Sequence, residues 1–579
     1  MAIFTFDASH LLGKVRAVDT RRVVIQVSTD EDLRRARVGQ LVALSLPGAL
    51  EAWLVGIIEK VIKTPVLSGP GADGDAGATT SELSLERESV LNTVHLALVG
   101  TVAATPAGSP KFSRSLLQVP EIDCECFVLR DAQLQGFMAL LTAAGDPAKS
   151  LDIGKYAIDE SAKAFLDGNK FFQRHAALLG STGSGKSWTV ASILERAAVL
   201  PSANMIVFDL HGEYKNLDYA QHYRIPGPED LGGDSDTLLY LPYWLLNAEE
   251  LQAMFIDRGE FSAHNQVMIF QDTVVREKKA TLEALKKAEV LNAFTLDSPI
   301  PFDLPKVIAE ITRLNTEMVP GAAAGKEKQG PFFGQLSRFL LRIGSKVDDK
   351  RYGFLFQAPT SQHQYEAMAN LMKRLMDYSA AKHQIKVIDF SEVPADILPV
   401  IVGLVARLIY QVQFWTDRDK RKPLALVCDE AHLYLPKKEG CNPVEQRAVE
   451  NFERIAKEGR KYGVALLIIS QRPSDVSTTI LSQCNNVIAL RLTNGDDQAT
   501  VRRLMPESLE GLIDTLPVLD VGEALIVGDA VLLPSRIKIN PPSQRPLSAT
   551  IDFWDEWQKT HGAPDFAKAV ENMRRQNRN

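Results

Sequence analysis

Gly180-Ser181-Thr182-Gly183-Ser184-Gly185-Lys186-Ser187 fits the pattern G-x-x-x-x-G-K-[ST] at every defined position. The apolar run Ala176-Ala177-Leu178-Leu179 precedes it, and a helix-forming stretch from Trp188 to Val199 follows. Strand, glycine-rich turn and helix in that order make a phosphate-binding loop. Its glycines let backbone N–H groups converge on phosphate oxygens, and the helix amino terminus adds the positive end of its dipole. The eight residues Gly180 to Ser187 are therefore the expected nucleotide cradle. Lys186 should reach the β and γ phosphates of ATP, and the Ser187 hydroxyl should sit on Mg²⁺.

Working outward, further apolar runs occur at Met205–Phe208, Ile385–Ile388, Leu424–Cys428, Val464–Ile469 and Val487–Leu490. Continuous apolar strands without alternation are buried on both faces, so the expected fold class is α/β with a parallel-rich, doubly wound sheet. The roughly 170 residues between Phe208 and Ile385 show helical periodicity at Asn247–Val290 and Leu304–Leu314, broken by a loop at Pro320–Pro331. This predicts a helical insertion ending near Ala381. Glu523–Val527 and Ala530–Ile539 predict a closing hairpin turned at Gly528-Asp529, with short terminal helices at Phe553–Trp557 and Asp565–Arg575. The aromatics Phe553, Trp554 and Trp557 could dock on a neighbouring subunit, but at helical spacing they are more simply packed on their own domain. Upstream, β-branched runs at Val23–Val27, Leu41–Leu44, Trp53–Ile58 and Val94–Val99 predict a small β-barrel, and the glycine-rich stretch Ser68–Thr79 a loop between two of its strands.

Three other strand ends carry candidate chemistry. Leu424–Cys428 runs into Asp429-Glu430 at its carboxyl end, where ligands of α/β sheets bind. Asp429 would order the Mg²⁺ shell and Glu430 would polarise the attacking water as general base. Val464–Ser470 is followed by Gln471, whose uncharged amide can bond both water and γ-phosphate and so sense the nucleotide. Met205–Phe208 is followed by Asp209 and then by Glu213, which either touch the same water network or hold their loop in place. At the end of the helix predicted over Val444–Tyr462, Arg460 is the favoured candidate to act on a neighbouring subunit's γ-phosphate, ahead of Arg536 and Arg491. A helix dipole would also favour positive charge there.

Composition bounds the rest. The 579 residues suggest roughly three to five domain-sized units. With 45% hydrophobic and 24% charged residues, the chain is globular in type and neither disordered nor fibrous. The net charge of −7 excludes a protein that coats nucleic acid over its whole surface, so DNA contact needs a local basic surface. Candidates are Arg418, Lys420, Arg421 and Lys422, and the pair Lys437-Lys438; a solvated basic face is the simpler reading of the first group. Five cysteines without ligand-spaced partners fit a reducing cytosol better than a disulfide framework or a zinc site. The first residues lack a signal-peptide pattern, and the apolar stretch Ile397–Tyr410 is too short to span a bilayer and contains Arg407, so a soluble cytoplasmic protein with no membrane partner is expected.

The barrel-like beginning, Gly180–Ser187, Phe208-Asp209-Leu210-His211-Gly212-Glu213-Tyr214, Leu241-Pro242-Tyr243-Trp244-Leu245-Leu246-Asn247, Asp429-Glu430-Ala431-His432 and Ser470-Gln471-Arg472-Pro473 together resemble HerA, of the FtsK/HerA group of DNA-pumping ATPases. The resemblance covers almost the whole chain. It implies an amino-terminal barrel of the HAS type over 1–115 that docks partners, a connector over 116–150, a RecA-like ATPase core over 151–245 and 382–545, a helical insertion over 246–381 and a tail over 546–579. It further implies a homohexamer with ATP bound between subunits and double-stranded DNA threaded through the central channel. A separate effector chain would dock on the barrel: a nuclease such as NurA in end resection, or, in bacterial antiphage defence pairs, a nuclease or sirtuin-type NAD hydrolase. The rival reading is a ring scaffold that binds nucleotide and organises an effector, which needs Lys186 but not turnover by Glu430. A ring that remodels protein is a third, which salt-sensitive DNA binding would count against.

Overall fold

The computed structural model describes residues 4–19, 22–46, 52–67, 88–105, 109–116, 118–144, 149–233, 235–321, 325–379, 382–505, 510–548, 552–560 and 566–575. Ser68–Thr79, expected to be a loop, lies outside them. The chain divides into two units that interleave in sequence. One comprises Met1–Ile193, Gln471–Ser474 and Cys484–Pro542, and the other Leu194–Ser470, Asp475–Gln483 and Ser543–Asn579.

In the first unit, β1 (Leu11–Asp19), β2 (Arg22–Val27), β3 (Leu41–Ser45), β4 (Ala52–Leu67), β5 (Glu88–Ala104), β6 (Pro110–Ser113) and β7 (Glu125–Val128) form one sheet. Its order is β2-β1-β7-β3-β4-β5-β6, and an additional β2–β5 pairing closes six of these strands into a barrel, with β6 appended to β5. Alternation explains the closure: Val23, Ile25 and Val27 of β2 point inward to meet Leu12, Val42, Leu54, Val94 and Val128. Residues 116–150, expected to be a connector, supply β7, which pairs with β1 and β3 and is needed to close the barrel. A four-residue strand with one alternation is too short to announce itself in sequence.

The same unit contains β8 (Ser150–Tyr156), β9 (Asp159–Asp167), β10 (Ala176–Leu179), β18 (Asn486–Ala489), β19 (Glu523–Gly528) and β20 (Ser535–Ile539). β10 and β18 are parallel, while β18–β19, β19–β20, β20–β8 and β8–β9 are antiparallel. The hairpin expected to turn at Gly528-Asp529 instead runs irregularly through Asp529–Pro534, where Pro534 has no N–H to offer a ladder. Helix α1 (Lys186–Ala198) follows β10 directly after the phosphate loop.

The second unit is built on β11 (Met205–Asp209), β12 (Gln221–Arg224), β15 (Ile385–Asp389), β16 (Leu424–Cys428) and β17 (Val464–Ser470). They pair in the order β12-β15-β11-β16-β17, every pair parallel. Every residue of β11, β15, β16 and β17 is buried, including Lys386 within the otherwise apolar run of β15. The polar strand Gln221-His222-Tyr223-Arg224 gave no such signal, because it lies at the sheet edge. Between β12 and β15 the chain is mainly helical: α2 (Ala248–Phe255), Ala263–Ala284, Leu304–Thr316, Ser337–Asp348 and Ala367–Met376. Within it, Pro320–Pro331, expected to be plain loop, carries a small hairpin of β13 (Met318–Pro320) and β14 (Glu327–Gln329).

Two helices flank β16: α3 (Leu398–Trp415) and α4 (Pro443–Tyr462). Among the described residues, α3 is the one helix long and apolar enough to cross a membrane by composition, and it is mostly buried within the protein. Its Arg407 donates to Glu250 Oε1 at 2.9 Å and Oε2 at 2.6 Å, and to the Leu245 carbonyl at 2.9 Å. Glu250 also closes the capping box of α2 with Asn247. The terminal helices run Phe553–Gln558 and Phe566–Arg575, and Phe553, Trp554 and Trp557 are 60%, 72% and 71% exposed. The expectation that they pack on their own domain is overturned: the rings touch one another and bury no core.

Candidate nucleotide site

The phosphate loop leaves β10 at Gly180, where a side chain would collide with Ser184 Oγ and Leu490 Cβ. Gly183 and Gly185 have φ of +73° and +104°, conformations that favour glycine. Ser184, fully buried, donates from its hydroxyl to the Ser181 carbonyl at 2.7 Å, and Thr189 Oγ1 donates to the Gly185 carbonyl at 2.9 Å. The loop is anchored twice more: Ser181 N–H and Oγ donate to the Arg491 carbonyl at 2.9 and 2.8 Å, and the Gly522 N–H donates to the Ser184 carbonyl at 3.2 Å. Lys186 is 8% exposed and its Nζ donates to the Ser181 carbonyl at 3.3 Å, a long bond that a phosphate oxygen can replace. Ser187 is half-buried and its hydroxyl makes no hydrogen bond among the described residues. Gln471 meets this loop, with Thr182 Oγ1 donating to its Oε1 at 2.6 Å.

In the second unit, the carboxyl ends of β11 and β16 gather four acids. Asp209 is fully buried, and its carboxylate accepts from the backbone N–H groups of His211, Gly212, Glu213 and Tyr214 at 3.3, 2.8, 3.0 and 3.0 Å. Of the two roles open to Asp209, its bonds are those of a loop holder; burial nonetheless raises its carboxyl above the ordinary range. The loop it holds directs Tyr214, whose hydroxyl donates to Asp429 Oδ2 at 3.0 Å. Tyr214 closes the string that begins at Phe208, but the sequence assigned it no role in the site, because a hydroxyl aimed at a residue 215 positions away leaves no local signal. Glu213 keeps Oε2 buried without a hydrogen-bond partner among the described residues.

Burial, and then the neighbouring charges of Glu430 and Glu213, push the Asp429 carboxyl up to about 8. The cluster is therefore short of positive charge, and an oxygen-only donor set with an orphaned carboxylate oxygen fits a hard cation such as Mg²⁺. Among the described residues no three or more His, Cys, Asp or Glu side chains are arranged to hold a metal by themselves, as suits an ion that takes few carboxylates and completes its shell with water and phosphate. Glu430 stands at φ +44°, ψ +44°, a left-handed conformation costly for a residue with a side chain. His432 Nδ1 lies 3.4 Å from Glu430 Oε2 and 3.4 Å from Ser470 Oγ.

Arg460 is exposed on the last turn of α4 and makes no ion pair among the described residues. Arg536 is instead paired with Glu523, and Arg491 meets the phosphate loop through its carbonyl. Part of the basic run is structural: Arg421 donates to the Thr416 and Phe414 carbonyls and lies over the Tyr462 ring, and Lys420 pairs with Asp417. Lys438 pairs with Glu453.

A model of the central domain of the helicase HerA matches residues 151–409, and a HerA-like helicase C-terminal model matches residues 374–545. The chain belongs to the HerA family. Membership places it among ATP-hydrolysing helicases and translocases. A probable helicase of Methanocaldococcus jannaschii is 24% identical over 424 residues, covering 71% of this chain and 70% of the relative. The DNA double-strand break repair helicase HerA of Saccharolobus solfataricus is 26% identical over 402 residues, covering 69% and 70%. Its counterpart in Pyrococcus furiosus is 28% identical over 413 residues, covering 67% and 69%.

Proposed function

We propose that this chain is an ATP-driven double-stranded DNA translocase and helicase that works in the cytoplasm as a homohexameric ring. The observation that carries the reading is a complete phosphate loop, in its strand and helix context, inside a stretch matched end to end by the two HerA helicase models. Lys186 binds the β and γ phosphates of ATP, with the backbone N–H groups of Gly180 to Ser187 as the cradle. Ser187 and Asp429 are the residues that would hold Mg²⁺, which when bound neutralises charge on the transferred phosphoryl group. Glu430 takes the proton of the attacking water, and Glu213 and Tyr214 keep Asp429 and the water network in order. Gln471 senses the γ-phosphate, and Arg460 reaches the nucleotide of the adjoining subunit, so that hydrolysis loosens one subunit boundary at a time.

DNA is held by its phosphates and largely without sequence readout, through local basic groups such as Lys437 and the exposed members of the 418–422 run. The barrel docks a separate effector chain. The repair names of the relatives favour a nuclease of end resection over the effector of an antiphage pair or a sirtuin-type NAD hydrolase. The deciding experiment is steady-state ATP hydrolysis with and without linear double-stranded DNA, with Glu430→Gln as control. DNA-stimulated turnover that the substitution abolishes supports the motor. Nucleotide binding without turnover, in the presence of DNA and of the co-purified effector, replaces it with the ring scaffold.

A further inference from the structure

β16 and β17 run side by side in register, Leu424 opposite Val464 to Cys428 opposite Ile468. Each continues from its carboxyl end into a functional segment: β16 into Asp429-Glu430, and β17 into Gln471. Beyond these residues the two segments meet again. Pro436 and Val476 form an antiparallel bridge, the Lys437 N–H donates to the Asp475 carbonyl at 2.9 Å, and the Ser477 N–H donates to the Leu435 carbonyl at 2.9 Å. A side chain from a third element closes this junction. Glu453 of α4 is 6% exposed; its Oε1 accepts from Ser477 Oγ at 3.0 Å and its Oε2 from Lys438 Nζ at 2.8 Å. Ser477 is itself 3% exposed.

Burying a carboxylate is costly unless it is paired, and both oxygens of Glu453 are paired across the junction. The arrangement ties both functional segments at both ends, by the strand ladder at one and by the bridge with Glu453 at the other. A shift of the acid-pair segment then reaches Asp475–Ser477, and through it the chain that carries Gln471. Removing the Glu453 carboxylate leaves the two backbone hydrogen bonds of the bridge to hold this junction.

We propose that Glu453 is a positioning residue for ATP hydrolysis, which clamps the segment after Glu430 to the segment after Gln471 so that the two move together. The proposal rests on the reading of this chain as an ATPase. Glu453 acts through the segments it joins.

The test uses the full-length protein and three readouts: kcat, nucleotide affinity from titration with a fluorescent ATP analogue, and hydrogen exchange of peptides spanning 431–442 and 471–480. Glu453→Gln removes the charge that holds Lys438, and Ser477→Ala removes only the other arm. For Glu453→Gln, kcat falls at least tenfold while affinity stays within twofold, and both peptides lose the protection that the ATP analogue confers on the wild type. Ser477→Ala shows the same pattern at smaller amplitude, and it alone decides if Glu453→Gln fails to fold. Wild-type kcat in both variants, or loss of protection in one peptide without the other, overturns the clamp. Absence of hydrolysis in the wild type strikes at the ATPase reading instead, and the exchange experiment still reports on the clamp itself.

Discussion

Thr182 Oγ1 donates a hydrogen bond to Gln471 Oε1 at 2.6 Å, joining the phosphate loop to a residue 289 positions later in the chain. The amide oxygen of Gln471 is thereby engaged and its NH₂ group is turned to other acceptors, a γ-phosphate among them. Gln471→Ala should leave ATP affinity within about threefold and lower kcat by roughly 10². Thr182→Val, which frees the amide to rotate, should give a smaller loss of the same kind. Steady-state hydrolysis together with equilibrium nucleotide binding checks both.

Lys186→Ala and Glu430→Gln should fail differently. The first removes the cation that meets the phosphates and should weaken ATP binding on the order of a hundredfold, a loss of about 3 kcal/mol. The second should retain binding and abolish turnover. Isothermal titration separates them.

Glu430 occupies a left-handed backbone conformation beside the buried Asp429. Glu430→Gly should relieve roughly 1 kcal/mol of backbone strain and remove one like charge, raising the thermal midpoint while hydrolysis is lost. Glu430→Gln keeps the strain and should gain less. Calorimetry on the three proteins tests the order wild type, Gln, Gly.

Arg407 and Glu250 are 8% and 2% exposed and bond through two oxygens. Arg407→Ala should destabilise the protein by about 3 to 5 kcal/mol, because Glu250 is left charged in the interior. Arg407→Met with Glu250→Leu should lose far less. Denaturant unfolding of the single and double variants distinguishes a stranded charge from a lost contact.

Lys386 is fully buried in β15, donates to Asn204 Oδ1 at 2.7 Å, and burial brings its ammonium down to about 7. A lysine lowered from its ordinary 10.5 costs stability wherever the unfolded chain holds the extra proton. That cost is full below about pH 7 and fades as pH rises towards 10.5. Lys386→Met should therefore stabilise by roughly 1 to 3 kcal/mol at pH 6 to 7, after allowing for the unpaired Asn204, with the difference shrinking by pH 10. Unfolding across that range provides the check.

What could be read along the chain was whatever a contiguous stretch encodes. Apolar runs marked β10, β11, β16, β17 and β18, and β15 with Lys386 as its one interruption before the closing acid, since a strand covered on both faces is built mostly of apolar residues. The loop Gly180 to Ser187 announced itself because Gly180 has no room for a side chain and Gly185 stands at positive φ, so the pattern's two glycines are fixed by the backbone. Short or polar strands did not: β7 has four residues, and β12 is Gln-His-Tyr-Arg at an edge. The exposed aromatics of the terminal helix likewise have the spacing of core residues, and spacing alone says nothing about what lies opposite.

Sequence by itself thus determined the α/β class, the barrel, the phosphate loop and the acid pair, because each depends on neighbours within a few residues. Tertiary structure decided which strand completes the barrel, that Asp209 holds a loop, that Tyr214 meets Asp429 across 215 positions, and that Glu453 closes the junction beyond Glu430. Those relationships are pairings of polar groups withdrawn from water. Their partners are chosen by what folding brings into reach, and no local pattern records it.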